Sequence, residues 1–201
     1  MIDQAIILAA GRGSRMDDAT RDMPKCLFPL MGKPLLTWQM EALKAAGISR
    51  ISAIGGYRSE VLAGHLRVEW INARWAETNM VQSLRCAAPV LSSRPAIVAY
   101  ADIVYHPDHI RKLAGTNGDI VISYDLSWRE LWQLRFADPL ADAETFRQQD
   151  GRLLEIGGKS TSQSAIEGQY MGLLKFTPSG WKRITDLLDK LEQPEQDRLD
   201  M

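Results

Sequence analysis

Cysteine is nearly absent from the sequence. Cys26 and Cys86 are its two, too few for a disulfide scaffold and too far apart for paired metal-ligand spacing, so both are expected to be reduced. Histidine is almost as scarce. The interval between His106 and His109 is wrong for an i, i+4 metal pair on a helix, and His65, His106 and His109 receive no function. Neither sign of charge is in excess: 24 Lys and Arg stand against 25 Asp and Glu. A chain with that balance has no broad field to attract nucleic acid or a membrane surface, so an anionic ligand must be held by a local cluster of positive groups. No apolar run is long enough to span a membrane, and the opening "MIDQ" lacks a basic n-region, which together point to the cytoplasm. Repeats, low-complexity segments and linker-like shifts are also missing. What is present is a 201-residue chain that is 45% hydrophobic, enough for one substantial core and one domain.

The first half alternates in type. "QAIILAA" reads as a buried strand, and "PLLTWQMEALKAAG" has helical apolar spacing with a glycine in the stop position. Strand-like "RISAIGG", helical "YRSEVLAGHL", strand-like "VEWIN", helical "NMVQSLRCAAPVL" and strand-like "AIVAYAD" follow. Strands separated by helix-length segments predict an α/β fold: a three-layer αβα, Rossmann-like arrangement around a mostly parallel sheet. In such sheets ligands bind beyond the carboxyl ends of the strands, where both the loop after "AIILAA" and Asp102 fall. After the strand "DIVISYD" the pattern changes to a short helix and hairpin-like pieces, predicting a small mixed or antiparallel subregion suited to acceptor specificity. "TPSGWKRITDLLDKL" reads as a closing helix with Pro178 in its first turn. The single domain thus divides into a nucleotide-binding part at about 1–118 and an acceptor-side part at about 119–201.

The loop "LAAGRGSRMDDATRDMPKCLFPL" holds Gly11 and Gly13 beside Arg12, Arg15, Arg21 and Lys25. Glycine backbone permits conformations closed to other residues and brings N–H groups close to a ligand, while guanidinium forks pair with phosphate oxygens and an ammonium acts as a mobile point charge. A solvated basic loop is the alternative. The dinucleotide fingerprint lacks its third glycine, and GxxxxGK[ST] does not occur.

"LAAGRGSRM" followed by "PKCLFPLMGKPLL" resembles the signature L-A-A-G-x-G-x-R-[ML] … P-K-x-[LM] of the nucleoside-triphosphate transferases, with their MobA-like, sugar-nucleotidyltransferase fold. "WAETNMVQSL", "YADIVY", "RFADPLADAETF" and "EGQYMGL" resemble its branch of small cytidylyltransferases, which includes the choline-phosphate and 2-aminoethylphosphonate enzymes. The resemblance covers nearly the whole chain. It implies that Ala10 and Gly11 contact base and ribose through their main chain, that Leu8, Ala9 and Arg12 bind the nucleotide beside them, and that Gly13, Ser14 and Arg15 hold the β- and γ-phosphates. Lys25 would meet the α-phosphate and the incoming acceptor oxygen. Lys25, Arg15 and Asp102 form the implied catalytic set, with Asp102 also the ligand of Mg2+; an N-cap or turn aspartate before Pro107 is the alternative for Asp102. Asn79 and Ser83, four apart on one helix face, would line the nucleotide pocket, unless Asn79 merely caps that helix.

Tyr124, Asp125, Trp128, Trp132, Arg135 and Tyr170 are the implied acceptor residues. Aromatic faces and a carboxylate suit an ammonium headgroup, although two tryptophans at helical spacing equally suit a core. Arg129 and Arg135 could meet the acceptor's phosphate or sit as surface charges. Family members usually continue past a segment like "LDM" into a helix and a last strand bearing a second acidic metal ligand. For a sequence ending at "RLDM" the resemblance implies a truncated form or another group completing the metal site.

The expected activity is magnesium-dependent transfer of CMP from CTP to a small phospho- or phosphono-alcohol of the phosphocholine or 2-aminoethylphosphonate type, releasing pyrophosphate. A homodimer is compatible with the reading; nucleic acid and membrane partners are not expected. A sugar-1-phosphate nucleotidylyltransferase and a nucleotide-binding module without turnover are the competing readings.

Overall fold

A computed structural model describes residues 2–13, 21–160 and 162–201. Its strands are β1 (Gln4–Ala9), β2 (Pro29–Leu30), β3 (Lys33–Pro34), β4 (Arg50–Gly55), β5 (Val68–Ile71), β6 (Ala96–Tyr100), β7 (Ile120–Asp125), β8 (Glu144–Gln149), β9 (Arg152–Lys159) and β10 (Gln169–Phe176). Its helices are α1 (Leu35–Ala45), α2 (Ser59–Leu62), α3 (Met80–Arg85), α4 (Ala88–Leu91), α5 (Pro107–Gly115), α6 (Trp128–Arg135), α7 (Pro178–Leu188) and α8 (Gln193–Arg198).

The apolar run of β1 is buried at all six residues, as a strand covered on both faces must be. It pairs in parallel with β4 on one edge and β6 on the other, in the register Gln4↔Arg50 and Ala5↔Ile97. The main sheet runs β5-β4-β1-β6-β10-β7, with β5 parallel to β4 and β10 antiparallel to β6. The expected α/β fold with a mostly parallel sheet is therefore present. Side chains alternate between faces along a strand. Ala5, Ile7 and Ala9 of β1 join Leu36 and Leu43 of α1 and Ile110 and Leu113 of α5 in one core cluster. Ile6 and Leu8 on the other face are buried too, where α3 packs on β1 and α4 packs on α7.

The chain divides into two compact units, one of residues 1–121 with 172–201 and one of residues 122–171. Residues 172–201 thus pack with residues 1–121 in the first unit. The second unit has its own small core of Trp128, Ala143 and Ile166 with Trp132 and Leu140 packed against it. Its hairpin β8–β9 turns at Asp150 and Gly151, whose φ values of 52° and 75° match the two left-handed positions of a tight hairpin turn.

Three helix expectations change. "YRSEVLAGHL" keeps one α-helical turn, α2. "NMVQSLRCAAPVL" breaks into α3 and α4, because Pro89 has no N–H to donate to the Arg85 carbonyl and its ring crowds that group. α7 does not close the chain: α8 follows it, with Pro194 in the first turn and the Glu195 carboxylate accepting from the Glu192 N–H at 3.2 Å. No described helix is long and apolar enough to cross a membrane.

The start of α7 illustrates how tightly the first unit closes. Thr177 Oγ1 accepts from the Gly180 N–H at 3.1 Å and donates to Asp119 at 2.7 Å, and a Cβ on Gly180 would lie 2.2 Å from the Asp119 carbonyl oxygen. Gly180→Ala is expected to lower the unfolding free energy by about 1–3 kcal/mol with an unchanged urea m-value. An unshifted urea midpoint would contradict this packing.

Candidate active site

Leu8 and Ala9 end β1 and Ala10 follows it, each no more than 7% exposed. The Ala10 carbonyl accepts from the Tyr57 N–H at 2.9 Å, tying the end of β1 to the turn after β4. Of the two loop glycines, only Gly13 has a conformation that demands one. Its φ is 70°, and a Cβ there would sit 3.0 Å from Lys25 Cβ, whereas Gly11 has open space around it. Gly13 therefore rests directly against the Lys25 stem. Ser14 and Arg15 lie outside the described residues.

Lys25 opens a 3-10 turn, residues 25–27, that is anchored by buried Cys26 and Leu27. Burial raises the Cys26 thiol from its ordinary 9.0 to about 12, which keeps it protonated and unreactive at neutral pH. With its backbone so anchored, Lys25 projects to Asp102, and Nζ meets Oδ2 at 2.5 Å with both side chains 35% exposed. The two residues are 77 apart in sequence, brought together because β6 carries Asp102 to the same sheet edge that β1 gives the loop. Asp102 does not cap α5. His106 does so instead, its Nδ1 accepting from the Asp108 N–H at 3.3 Å.

Asn79 and Ser83 are held inside the protein's own network. The Asn79 side chain makes no capping bond; its Nδ2 donates to the Arg198 carbonyl at 2.9 Å, and its N–H donates to the Asp197 carbonyl at 2.9 Å. Ser83 is buried, and its hydroxyl accepts from Asn72 Nδ2 at 3.0 Å. Asn72, missed in the sequence, is the hub of that corner: it also donates to Thr78 Oγ1 at 3.0 Å and accepts from the Arg74 N–H. Arg74 in turn pairs with Asp197 at 2.5 Å, and this guanidinium bond holds the Asp197 carboxyl below its usual range. The segment 191–201 is therefore fastened to the rest of the first unit at several points, including a 2.6 Å bond from the Tyr100 hydroxyl to the Met201 main-chain oxygen.

The sequence reading also passed over "GGYR" at the end of β4. A Cβ on Gly56 would lie 2.7 Å from the Ala10 carbonyl oxygen and 2.7 Å from Trp75 Cβ, a close approach only glycine allows. Tyr57 meets Trp75 edge-on with centroids 5.2 Å apart, and the Arg12 and Arg58 guanidinium carbons each lie 5.9 Å from the Tyr57 ring centre. The usable signal was position, a glycine pair at the carboxyl end of a parallel strand beside β1.

In the second unit, Trp128 is 3% exposed and belongs to the core. Of the two alternatives for the tryptophan pair, core packing is the one its burial favours. Trp132 meets Trp128 edge-on at 6.2 Å, and the Arg135 guanidinium carbon lies 5.2 Å over the Trp132 ring, supplying its cation from within the chain. Tyr124 stacks on Phe146 at 4.7 Å, and one Asp125 oxygen closes a local turn by accepting from the Ser127 N–H at 2.8 Å. Tyr170 is half-buried on β10.

Asp102 is a carboxylate brought to this loop from the end of β6, and no group of three or more His, Cys, Asp or Glu among the described residues could hold a metal. That donor set fits magnesium, which keeps several waters and takes one or two carboxylates together with substrate phosphate oxygens.

Residues 5–161 match the profile of the MobA-like NTP transferase domain. The chain is 42% identical over 183 residues to the CTP:phosphoglutamine cytidylyltransferase of Campylobacter jejuni, covering 86% of this chain and 72% of that protein. It is 33% identical over 140 residues to the 2-aminoethylphosphonate cytidylyltransferase of Lancefieldella rimae, covering 60% of this chain and 56% of the relative. Among solved structures, the inositol-1-phosphate CTP transferase from T. maritima shares the fold with a TM-score of 0.72 at 21% identity, over 95% of this chain and 75% of that one. A glycine loop packed on a lysine, an aspartate from a neighbouring strand end and this profile match together place the chain in the MobA-like nucleotidyltransferase family.

Proposed function

We propose that the chain transfers CMP from CTP to a phosphate or phosphonate oxygen of a small acceptor, releasing pyrophosphate. The observation that carries this reading is the Lys25–Asp102 pair beside Gly13, at the sheet edge where a triphosphate would be wrapped. Two relatives named as cytidylyltransferases support CTP as the donor. An acceptor oxygen attacks the α-phosphorus in line, a new P–O bond forms, and the bond to the bridging oxygen of the leaving pyrophosphate breaks. Negative charge gathers on the oxygens around that phosphorus. Lys25, released from Asp102 toward the triphosphate, stabilises the charge more in the transition state than in the ground state. Asp102, once free of Lys25, would hold Mg2+ together with phosphate oxygens and water. When bound, the ion supplies charge neutralisation of the triphosphate. Gly13 keeps the loop backbone close to the Lys25 stem, so the ammonium is delivered from a fixed base. The reaction is assigned to the cytoplasm, where unbridged thiols such as Cys26 and Cys86 persist.

For the acceptor, Arg135 over Trp132 favours recognition of negative charge by a guanidinium over capture of a quaternary ammonium by an aromatic cage. Phosphorylated or phosphonate acceptors with an amide or primary amine, of the kind named in the two relatives, fit this better than phosphocholine.

Pyrophosphate release from CTP is expected with phosphoglutamine or 2-aminoethylphosphonate and not with glucose 1-phosphate. Release with the sugar phosphate alone would contradict the reading. Arg135→Ala should raise the acceptor KM by about tenfold, the loss of one charge-assisted contact, while the KM for CTP holds. Lys25→Ala should reduce kcat by at least about 10²-fold. Because a pair this exposed contributes only about 0–1 kcal/mol, its melting temperature should barely move. Asp102→Asn should shift the magnesium titration; near-normal kcat in Lys25→Ala with an unmoved magnesium curve in Asp102→Asn would remove the pair from the chemistry.

A further inference from the structure

At the end of the sheet opposite the candidate active site lies an open groove of about 440 Å³. Gln4 and Arg50 begin β1 and β4 side by side, and from Gln4 to Ala9 at the other end of β1 is roughly 16 Å at a strand's rise per residue. Three arginines from separate segments line the groove: Arg50 on β4, Arg67 just before β5, and Arg94 just after α4. One carboxylate, Glu69, lines it with them.

The pairings these arginines make are loose or missing. Arg50 stands 3.4 Å from Asp3 and Arg67 stands 3.7 Å from Glu69, while Arg94 has no ion pair among the described residues. Gln4 and Ser52, each 6% exposed, form the polar floor. Gln4 Nε2 is buried without a hydrogen-bond partner among the described residues. A buried amide donor left without an acceptor is costly, and native interiors leave few such groups. Its presence beside three guanidinium groups is an independent sign of a missing acceptor.

We propose that this groove binds a small phosphorylated molecule, held by Arg50, Arg67 and Arg94 around an acceptor oxygen for Gln4. Donors approaching from four different segments suit a tetrahedral oxyanion, whose oxygens point in separate directions, better than a planar carboxylate with two. The volume leaves room for an organic body beyond the phosphate. The site is separate from the loop that would take the nucleotide, so its occupancy and the proposed transfer activity can be tested apart.

The test uses the full chain labelled with 15N and follows the Gln4 side-chain amide by NMR while inorganic phosphate is added at constant ionic strength. A saturable shift is expected, with a Kd of about 1 mM or tighter and at least about tenfold weaker binding of acetate. Lys25→Ala should leave this shift unchanged, since that residue serves the other end of the sheet. Arg94→Ala should weaken it about tenfold, and Arg94→Lys should restore part of the loss. No saturable shift at Gln4, equal response to acetate, or full binding in Arg94→Ala would each overturn the proposal.

Discussion

Burial of β1 on both faces and both edges is the constraint from which the rest follows. A strand enclosed by β4 and β6 and covered above and below can carry no ligand along its length, so its chemistry is displaced to the two ends. At the carboxyl end the parallel register delivers three chain segments to one edge: the glycine loop after β1, the Gly56–Tyr57 turn after β4 and Asp102 after β6. Parallel pairing alone makes residues from 10 to 102 neighbours. The amino end, where Gln4 and Arg50 begin in register, gathers a second set of polar groups by the same geometry.

Electrostatics then decides what the carboxyl end can do. Lys25 and Asp102 satisfy one another at 2.5 Å, but at 35% exposure the pair is weak, and its partners are open to exchange. A triphosphate offers the ammonium several oxygens in place of one carboxylate, and it leaves the carboxylate able to take a cation. The ion pair is a resting arrangement of two groups that the chemistry would use separately. The anchoring lies beneath it, in buried Cys26 and Leu27, which fix the backbone from which the half-exposed Lys25 head reaches out.

The parts of this arrangement readable in the sequence were those with a strong local rule. An unbroken apolar run marked β1, a glycine-arginine loop after it marked the edge, and a strand-end aspartate marked Asp102. The partner of Ser83 was not legible, because helix spacing places a side chain on a face without saying which neighbour it meets; Asn72, eleven residues away, takes it into a buried hydrogen bond. Trp128 and Trp132 have a spacing that serves core and cage equally, and only burial separates them. The return of 172–201 to the first unit depends on the antiparallel pairing of β10 with β6, a long-range choice with no local signature. Pro89 did carry a readable signal, since its missing N–H splits the predicted helix.

In the proposed reaction Lys25 exchanges Asp102 for the triphosphate. A crystal structure of the chain with CTP and magnesium would show this exchange. The Lys25 ammonium is expected on a phosphate oxygen and no longer on Asp102. A bound nucleotide with the Lys25–Asp102 pair still closed would contradict it.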